Sequence, residues 1–350
     1  MIRNQRKTEH LSIAAKTADG PVETGFADIH LIHQAVPELD LASIDLSVSF
    51  LGKDLQCPVI INAVTGGTPQ AHRINNFFAY LADKYGMAMA VGSQTVALED
   101  PGLRDSFTVV RESCPDGVVL ANVGAMSSTQ YALQAVKMIE ADALQLHLNV
   151  PQELAMQEGD RSFKGMIDQI SRIVDACPVP VIVKEVGFGL SREAVVRLYA
   201  AGVTRVDIGG QGGTNFLAIE NQRCGLFDDH LEEWGIPTAI SLAEVKSLGL
   251  PIDIIASGGI RSAMDVARAL ALGADLIGIS GWFLKVLLEH GIDVLDETID
   301  QFLYHLKAIY LMTGSVNTSE LQQIPVLIFG HTAEWLRMRG IDPGMWAARS

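Results

Sequence analysis

Ala143-Leu144-Gln145-Leu146-His147-Leu148-Asn149-Val150-Pro151-Gln152-Glu153 begins as an apolar run and ends in a cluster of polar groups. Four of them, His147, Asn149, Gln152 and Glu153, fall within seven residues. Alternation along a strand sends His147 and Asn149 to the same side. Pro151 has no N–H for a ladder and ends the strand. Gln152 and Glu153 then follow in the loop or first helical turn. A single polar residue at a strand end is ordinarily solvated or bonded to backbone. Four together read as the rim of an active site.

Seven further apolar runs flank this one, at 58–62, 87–91, 118–122, 180–185, 205–208, 252–256 and 275–279. They are continuously apolar rather than alternating, as strands buried on both faces are. Amphipathic segments such as 191–201 and 262–272 lie between them. Each opens with an N-cap serine, and Gly273 supplies a C-cap after the second. The spacing, roughly thirty residues, is that of a βα unit. Eight such units predict an α/β protein of the (β/α)8 TIM-barrel class. A doubly wound open sheet is the alternative. Its dinucleotide fingerprint could be forced only on Gly209-Gly210-Gln211-Gly212-Gly213, which comes late and lacks the following acidic residue.

The organisation expected is a 1–56 N-terminal extension, a 57–311 barrel and a 312–350 helical C-terminal tail packed on the barrel. Residues 209–240, rich in Gly, Asn, Asp and Glu, read as a long loop after strand 6, either a lid or a disordered segment.

The composition, 48% hydrophobic with 32 glycines, suits a closely packed α/β protein with tight turns. A net charge of -15 argues against a nucleic-acid footprint or an anionic membrane surface. Any anionic ligand then needs a local basic cluster. Cys57, Cys114, Cys177 and Cys224 form neither CxxC nor a zinc pattern, so buried reduced thiols are expected. The N-terminus lacks the apolar core of a signal peptide, and the most apolar long segment, 276–288, is too short to span a bilayer. A soluble cytoplasmic protein is expected.

Barrel active sites lie at the C-terminal ends of the strands. Here strand 1 ends in Asn62-Ala63-Val64-Thr65-Gly66-Gly67, strand 2 in Gly92-Ser93-Gln94-Thr95 and strand 3 in Asn122-Val123-Gly124. Strand 6 ends in Asp207 and the glycine-rich run to Thr214-Asn215. Ser257-Gly258-Gly259-Ile260-Arg261 after strand 7, with Ser280-Gly281 after strand 8, has the pattern of a phosphate cradle. Lys184 ends strand 5 beside Glu185. Burial would be costly without a partner, so it either pairs with Glu185 or Asp207 or faces an anionic cofactor ring.

Together these motifs resemble the type 2 isopentenyl-diphosphate isomerases, FMN-dependent barrels of isoprenoid synthesis, essentially end to end. The resemblance is carried by Arg6-Lys7-Thr8-Glu9-His10, Gly25-Phe26-Ala27-Asp28, Pro37-Glu38-Leu39-Asp40, Thr65-Gly66-Gly67 and Gly92-Ser93-Gln94. It continues through Ala121-Asn122-Val123-Gly124, the His147–Glu153 cluster, Val183-Lys184-Glu185-Val186-Gly187, the 207–215 run and Ser257-Gly258-Gly259. Val64 departs from the family's usual Met, and Thr8 stands where an acidic residue is common. The resemblance implies interconversion of isopentenyl diphosphate and dimethylallyl diphosphate with reduced FMN, Mg2+, and NADPH as the initial flavin reductant. It implies that Ala63, Val64, Thr65, Ser93 and Asn122 contact the flavin. Lys184 would stabilise negative charge on the reduced ring. Thr214, Gly258, Gly259, Ser280 and Gly281 would bind ribityl and phosphate groups. Arg6, Lys7 and His10 would bring positive charge to the substrate diphosphate, with Ser93, Gln94 and Thr95 as further substrate contacts. Gln152, His147, Asn149 and Lys184 would be catalytic, and Glu153 would hold Mg2+, which takes one or two carboxylates plus phosphates. No side chain is an obvious acid strong enough to protonate an alkene, so the flavin N5 region is implied as proton donor and acceptor. The family usually forms tetramers or octamers, so the resemblance implies a homotetramer or homo-octamer.

Three rivals are weighed. An FMN-dependent 2-hydroxy-acid oxidase needs a His base and an Arg late in the barrel, but no His lies between His230 and His290. A nucleotide-dehydrogenase barrel needs a nucleophilic Cys after strand 6, and Cys224 lies well beyond that strand end. A non-catalytic flavin-binding protein would leave the strand-4 cluster without purpose.

The basic arm is testable directly. Arg6→Ala and Lys7→Ala should each weaken substrate binding about tenfold or more, since a charge-assisted contact is worth roughly 1.5–3 kcal/mol. FMN retention should not change. Isomerase activity that survives deletion of residues 1–10 would refute the arm's role.

Overall fold

A computed structural model describes Ile13 and residues 20–349. Arg6, Lys7 and His10 lie outside the described residues. Among those described, eight parallel strands close into a barrel. They are β1 Val59–Ile61, β2 Ala88–Ala90, β3 Val119–Gly124, β4 Ala143–Leu148, β5 Val181–Glu185, β6 Arg205–Asp207, β7 Asp253–Ser257 and β8 Leu276–Ile279. Each falls on one of the eight apolar runs. Pairing is parallel throughout, β8 joining β1 to complete the ring. The chain is a (β/α)8 TIM barrel.

The barrel interior is filled in two unlike layers. The lower one is apolar: Ile60, Ala88, Ala90, Leu120, Ala143, Ile182, Ile255 and Leu276 pack together. Phe50 and Leu55 belong to the same cluster. They come from an antiparallel hairpin, Val48–Phe50 with Lys53–Leu55, that plugs the floor. The outward faces of the strands pack on the surrounding helices in a separate, larger core that includes Ile61, Leu146, Val183, Val266 and Phe283.

Two expectations change. The 209–240 segment is not one loop: it holds a helix, Phe216–Cys224, and a short 3-10 turn, Asp229–Glu233. Asn215 starts the helix, its side-chain oxygen accepting from Leu217 N–H and Ala218 N–H. A residue type that favours loops is here an N-cap, so composition misjudged the segment. The C-terminal tail is not purely helical either. Val326–Ile328 forms a strand paired antiparallel with Ile29–Leu31 of the N-terminal extension. That pairing is a long-range event invisible to local pattern.

Farther along the tail, the Gly330–Met338 helix and Arg339 beyond it dock on the Thr238–Lys246 helix. Trp335 Nε1 and Arg339 Nε both donate to the buried Glu244 carboxylate, at 2.9 and 2.8 Å. No helix among the described residues is long and apolar enough to cross a membrane.

Phe50→Ala should leave a cavity in the floor and lower stability by about 3–5 kcal/mol. The mouth is at the opposite end, so flavin retention per folded molecule should be unchanged. Denaturant midpoint and flavin stoichiometry check both halves of this expectation.

Candidate functional site

Above the apolar layer the inward side chains turn polar. The next inward positions are Asn62, Asn122, Gln145, Lys184, Asp207 and Ser257, all buried. They form one connected network. Asp207 accepts from Asn62 Nδ2 at 2.6 Å, from Ser257 Oγ at 2.5 Å and from Gly209 N–H at 3.2 Å. Lys184 Nζ lies 2.9 Å from the same carboxylate and 3.2 Å from Ser257 Oγ. Gln145 Nε2 donates to Asn62 Oδ1 at 2.9 Å, and Asn122 Nδ2 donates to Gln145 Oε1 at 3.0 Å. Asn122 Oδ1 lies 2.8 Å from His147 Nδ1. A buried ion is tolerated only when paired and hydrogen-bonded, and Asp207 has four donors.

The partner of Lys184 is therefore Asp207 and not Glu185. Glu185 Oε2 accepts instead from the backbone N–H groups of Val186, Gly187 and Phe188, at 2.6, 2.8 and 2.5 Å. Burial pushes its carboxyl up to about 7, against the pull of those three N–H groups and of neighbouring Lys184.

The strand-4 cluster divides at Leu148. His147 is inside β4, but Asn149 is the N-cap of the Val150–Ala155 helix and the alternation stops there. Pro151 sits in the first turn of that helix, where a missing N–H costs nothing. Gln152 and Glu153 stand in the same turn. Asn149 Nδ2 donates to Glu153 Oε1 and Asp160 N–H to Glu153 Oε2, both at 2.9 Å. An ionised carboxylate has about four acceptor sites, so Glu153 retains capacity for one cation. No group of three or more His, Cys, Asp or Glu that could hold a metal occurs among the described residues.

Backbone approaches backbone across the loops after β6 and β7. A Cβ on Gly258 would meet Gly210 O at 2.0 Å, and one on Gly259 would meet Gly212 O at 2.3 Å. Both residues have positive φ, 108° and 70°. Thr214 Oγ1 faces Gly281, 3.1 Å from where a Cβ would stand. Ser280 opens the ten-residue helix Gly281–His290, and no side chain caps it. Its first N–H groups have no intrahelical partners, which makes the end a natural anion site. Arg261 Nη2 ties Gly212 O into the same loop cluster. The N-terminal extension crosses here: Gly20 N–H reaches Gly213 O, and Thr24 lies against Gly212 and Gly259. These features suit one phosphate of a mononucleotide.

Ala63 and Val64 are half-buried after β1, while Thr65 is buried and accepts from Gly92 N–H at 3.0 Å. Ser93 and Thr95 place their hydroxyls 3.2 Å apart after β2. Gln94 departs from the expectation of a substrate contact. It is fully buried, donating to Ala135 O and accepting from Asn122 N–H. Its amide is committed to the barrel wall. The residue that pattern reading missed is Gln145, hidden inside an apolar run. Asn62, Asp207 and Ser257 were visible as strand ends but were not assigned to the site. Cys224 ends the Phe216–Cys224 helix, well past β6. Cys57, Cys114 and Cys177 are free thiols whose pKa values burial raises, Cys57 to about 12.

Residues 118–326 match the family model of the FMN-dependent dehydrogenases. The isopentenyl-diphosphate delta-isomerase of Moorella thermoacetica is 51% identical over 337 residues, covering 96% of this chain and 97% of that protein. The isopentenyl-diphosphate delta-isomerase of Symbiobacterium thermophilum is 48% identical, covering 100% and 99%. Among solved structures, mandelate oxidase with (S)-2-phenylpropionate superposes with a TM-score of 0.66 at 14% identity, covering 93% of this chain and 97% of that one. A lactate oxidase of Pediococcus acidilactici gives 0.65 at 16%, covering 92% and 87%. At such identities these two share the fold alone.

Gly258→Ala should force the β6 and β7 loops apart. Purified variant should lose FMN on gel filtration while keeping its far-ultraviolet circular dichroism. Retention of FMN with normal stoichiometry would show that the cradle tolerates a side chain and does not hold the phosphate.

Proposed function

The chain belongs to the isopentenyl-diphosphate delta-isomerases, in their FMN-dependent form, and from that membership we propose how its barrel mouth is used. The reaction moves a C=C bond by losing one proton and gaining another, with no net redox change. The observation that carries the site reading is the polar layer holding one ammonium, Lys184, under a glycine cradle and an uncapped helix.

Reduced FMN bound there supplies a ring able to give and take a proton, with NADPH needed only for its initial reduction. The protein's own groups do the rest. Gly258, Gly259, Ser280 and Gly281 offer backbone N–H groups to the FMN phosphate, and Thr214 its hydroxyl to phosphate or ribityl. Ala63, Val64, Thr65, Ser93 and Asn122 line the ring. Lys184 places positive charge beside it and favours its anionic form. Arg6, Lys7 and His10 engage the substrate diphosphate, with Ser93 and Thr95 near it. Glu153 would hold Mg2+, which would supply positive charge for the diphosphate; its two oxygens are oriented by Asn149 and the Asp160 N–H. Gln152 cannot ionise, so it orients the carbon skeleton or relays a proton, beside His147. The protein works in the cytoplasm as a homotetramer or homo-octamer.

Incubation with isopentenyl diphosphate, FMN, NADPH and Mg2+ should yield dimethylallyl diphosphate. Oxidation of a 2-hydroxy acid without isomerisation would overturn the reading. Within the site, Glu153→Gln removes a charge from the metal position but keeps its shape. It should raise the Mg2+ requirement and weaken diphosphate binding together. Gln152→Ala should leave Mg2+ dependence nearly intact and lower turnover of bound substrate, so the two defects separate into KM and kcat. Wild-type behaviour from both would make the strand-4 cluster structural.

A further inference from the structure

We propose that the buried Asp207 carboxylate sets the tautomer of His147 through a one-directional chain of three side-chain amides, with Gln145 as the positioning residue at its centre. The chain runs Asp207, Asn62, Gln145, Asn122, His147, and its four links measure 2.6, 2.9, 3.0 and 2.8 Å. The carboxylate and the three amides are all buried, so no solvent path competes with these partners.

Direction in such a chain comes from groups whose role is chemically fixed. Two are present, and they agree. Asp207, facing the Lys184 ammonium at 2.9 Å, is an acceptor. Asn62 must therefore turn its NH2 toward Asp207. The backbone N–H of Ala63 can only donate, and it lies 2.9 Å from Asn62 Oδ1. That independently requires the Asn62 oxygen on the other side. With Asn62 Oδ1 as acceptor, Gln145 must present its NH2 to Asn62 and its oxygen to Asn122. Asn122 must then donate through Nδ2 to Gln145 and accept through Oδ1 from His147. The His147 atom facing that oxygen is Nδ1, so Nδ1 carries a hydrogen.

A neutral imidazole bears one N–H. The lone pair of neutral His147 is consequently on Nε2, which lies beside Gly124, 3.4 Å from where a Cβ would stand. When the ring takes a second proton, that proton enters at Nε2 and the Nδ1–H bond to Asn122 is kept. Reversing this would need every amide to flip, leaving Asn62 Oδ1 against Asp207 and the Ala63 N–H without its acceptor. Each unsatisfied buried group of this kind is penalised by its lost hydration, which is why one tautomer wins.

The tautomer stands apart from the isomerase reading; only the turnover measurement below rests on it. The test uses FMN-loaded protein with 15N-labelled histidine, at a pH where the rings are neutral. Long-range 1H–15N correlation spectra, with His147 assigned against His147→Gln, should show a protonated, pyrrole-type Nδ1 and a pyridine-type Nε2. A neutral His147 protonated at Nε2 would overturn the proposal, and this measurement needs no variant to fold. Gln145→Met keeps volume and cuts the chain. Both tautomers should then appear, and kcat should fall about tenfold, the equivalent of one lost buried hydrogen bond, with FMN still bound. A Gln145→Met protein that is merely less heat-stable but keeps the single Nδ1–H tautomer would show that the chain does not set it. A wild-type spectrum as expected in a protein that does not isomerise substrate would spare the tautomer and defeat the isomerase reading instead.

Discussion

Asp207 buries a carboxylate at the centre of the barrel mouth, and the neighbouring strands supply the groups that make this tolerable. A lone ion there would be costly by several kcal/mol. Lys184 comes from β5, Ser257 from β7 and Asn62 from the end of β1. Each donor is drawn from a different strand, so the carboxylate is satisfied only when the barrel is closed. The same constraint stacks the interior. Below Asp207, apolar side chains fill the barrel down to the hairpin plug. Above it, the chain opens into strand ends with small or polar side chains.

The glycine-rich end of the mouth is built on a different principle. There backbone N–H groups are left accessible because no side chain stands between. Glycines at 258 and 259 permit the loops after β6 and β7 to pack main chain against main chain. The uncapped Gly281–His290 helix completes the arrangement. Side-chain electrostatics hold one end of the site and main-chain geometry the other. This suits a ligand with a polar ring and a remote phosphate.

Outlying segments stabilise this mouth. The Phe216–Cys224 helix is tied to the loop after the Gln152–Glu153 turn by Arg223, whose Nη2 meets Glu158 Oε1 at 2.8 Å. Arg161 folds that loop, donating to the carbonyls of Glu153, Met156, Gly159 and Asp160. The loop in turn presents Asp160 N–H to the Glu153 carboxylate. A segment that composition marks as a loose lid is thus a brace for the Gln152–Glu153 turn.

The amino-acid sequence by itself determined the barrel, because strands buried on both faces must be continuously apolar and leave eight legible runs. It also displayed a local cluster of His147, Asn149, Gln152 and Glu153 and the glycine pairs after strands 6 and 7. Tertiary structure alone decided which polar groups meet. Asn62 and Asp207 are 145 residues apart, and Gln145 and Asn62 are 83 apart. Closing the ring brings them within hydrogen-bond distance, and no local pattern encodes that. Gln145 interrupts an apolar run without any sign of its partners, while Gln94 stands between Ser93 and Thr95 at the strand end and yet points into the wall. The strand at Val326–Ile328 likewise exists because Ile29–Leu31 lies beside it. Periodicity reports which face of an element is buried; only the folded chain settles what that face is buried against.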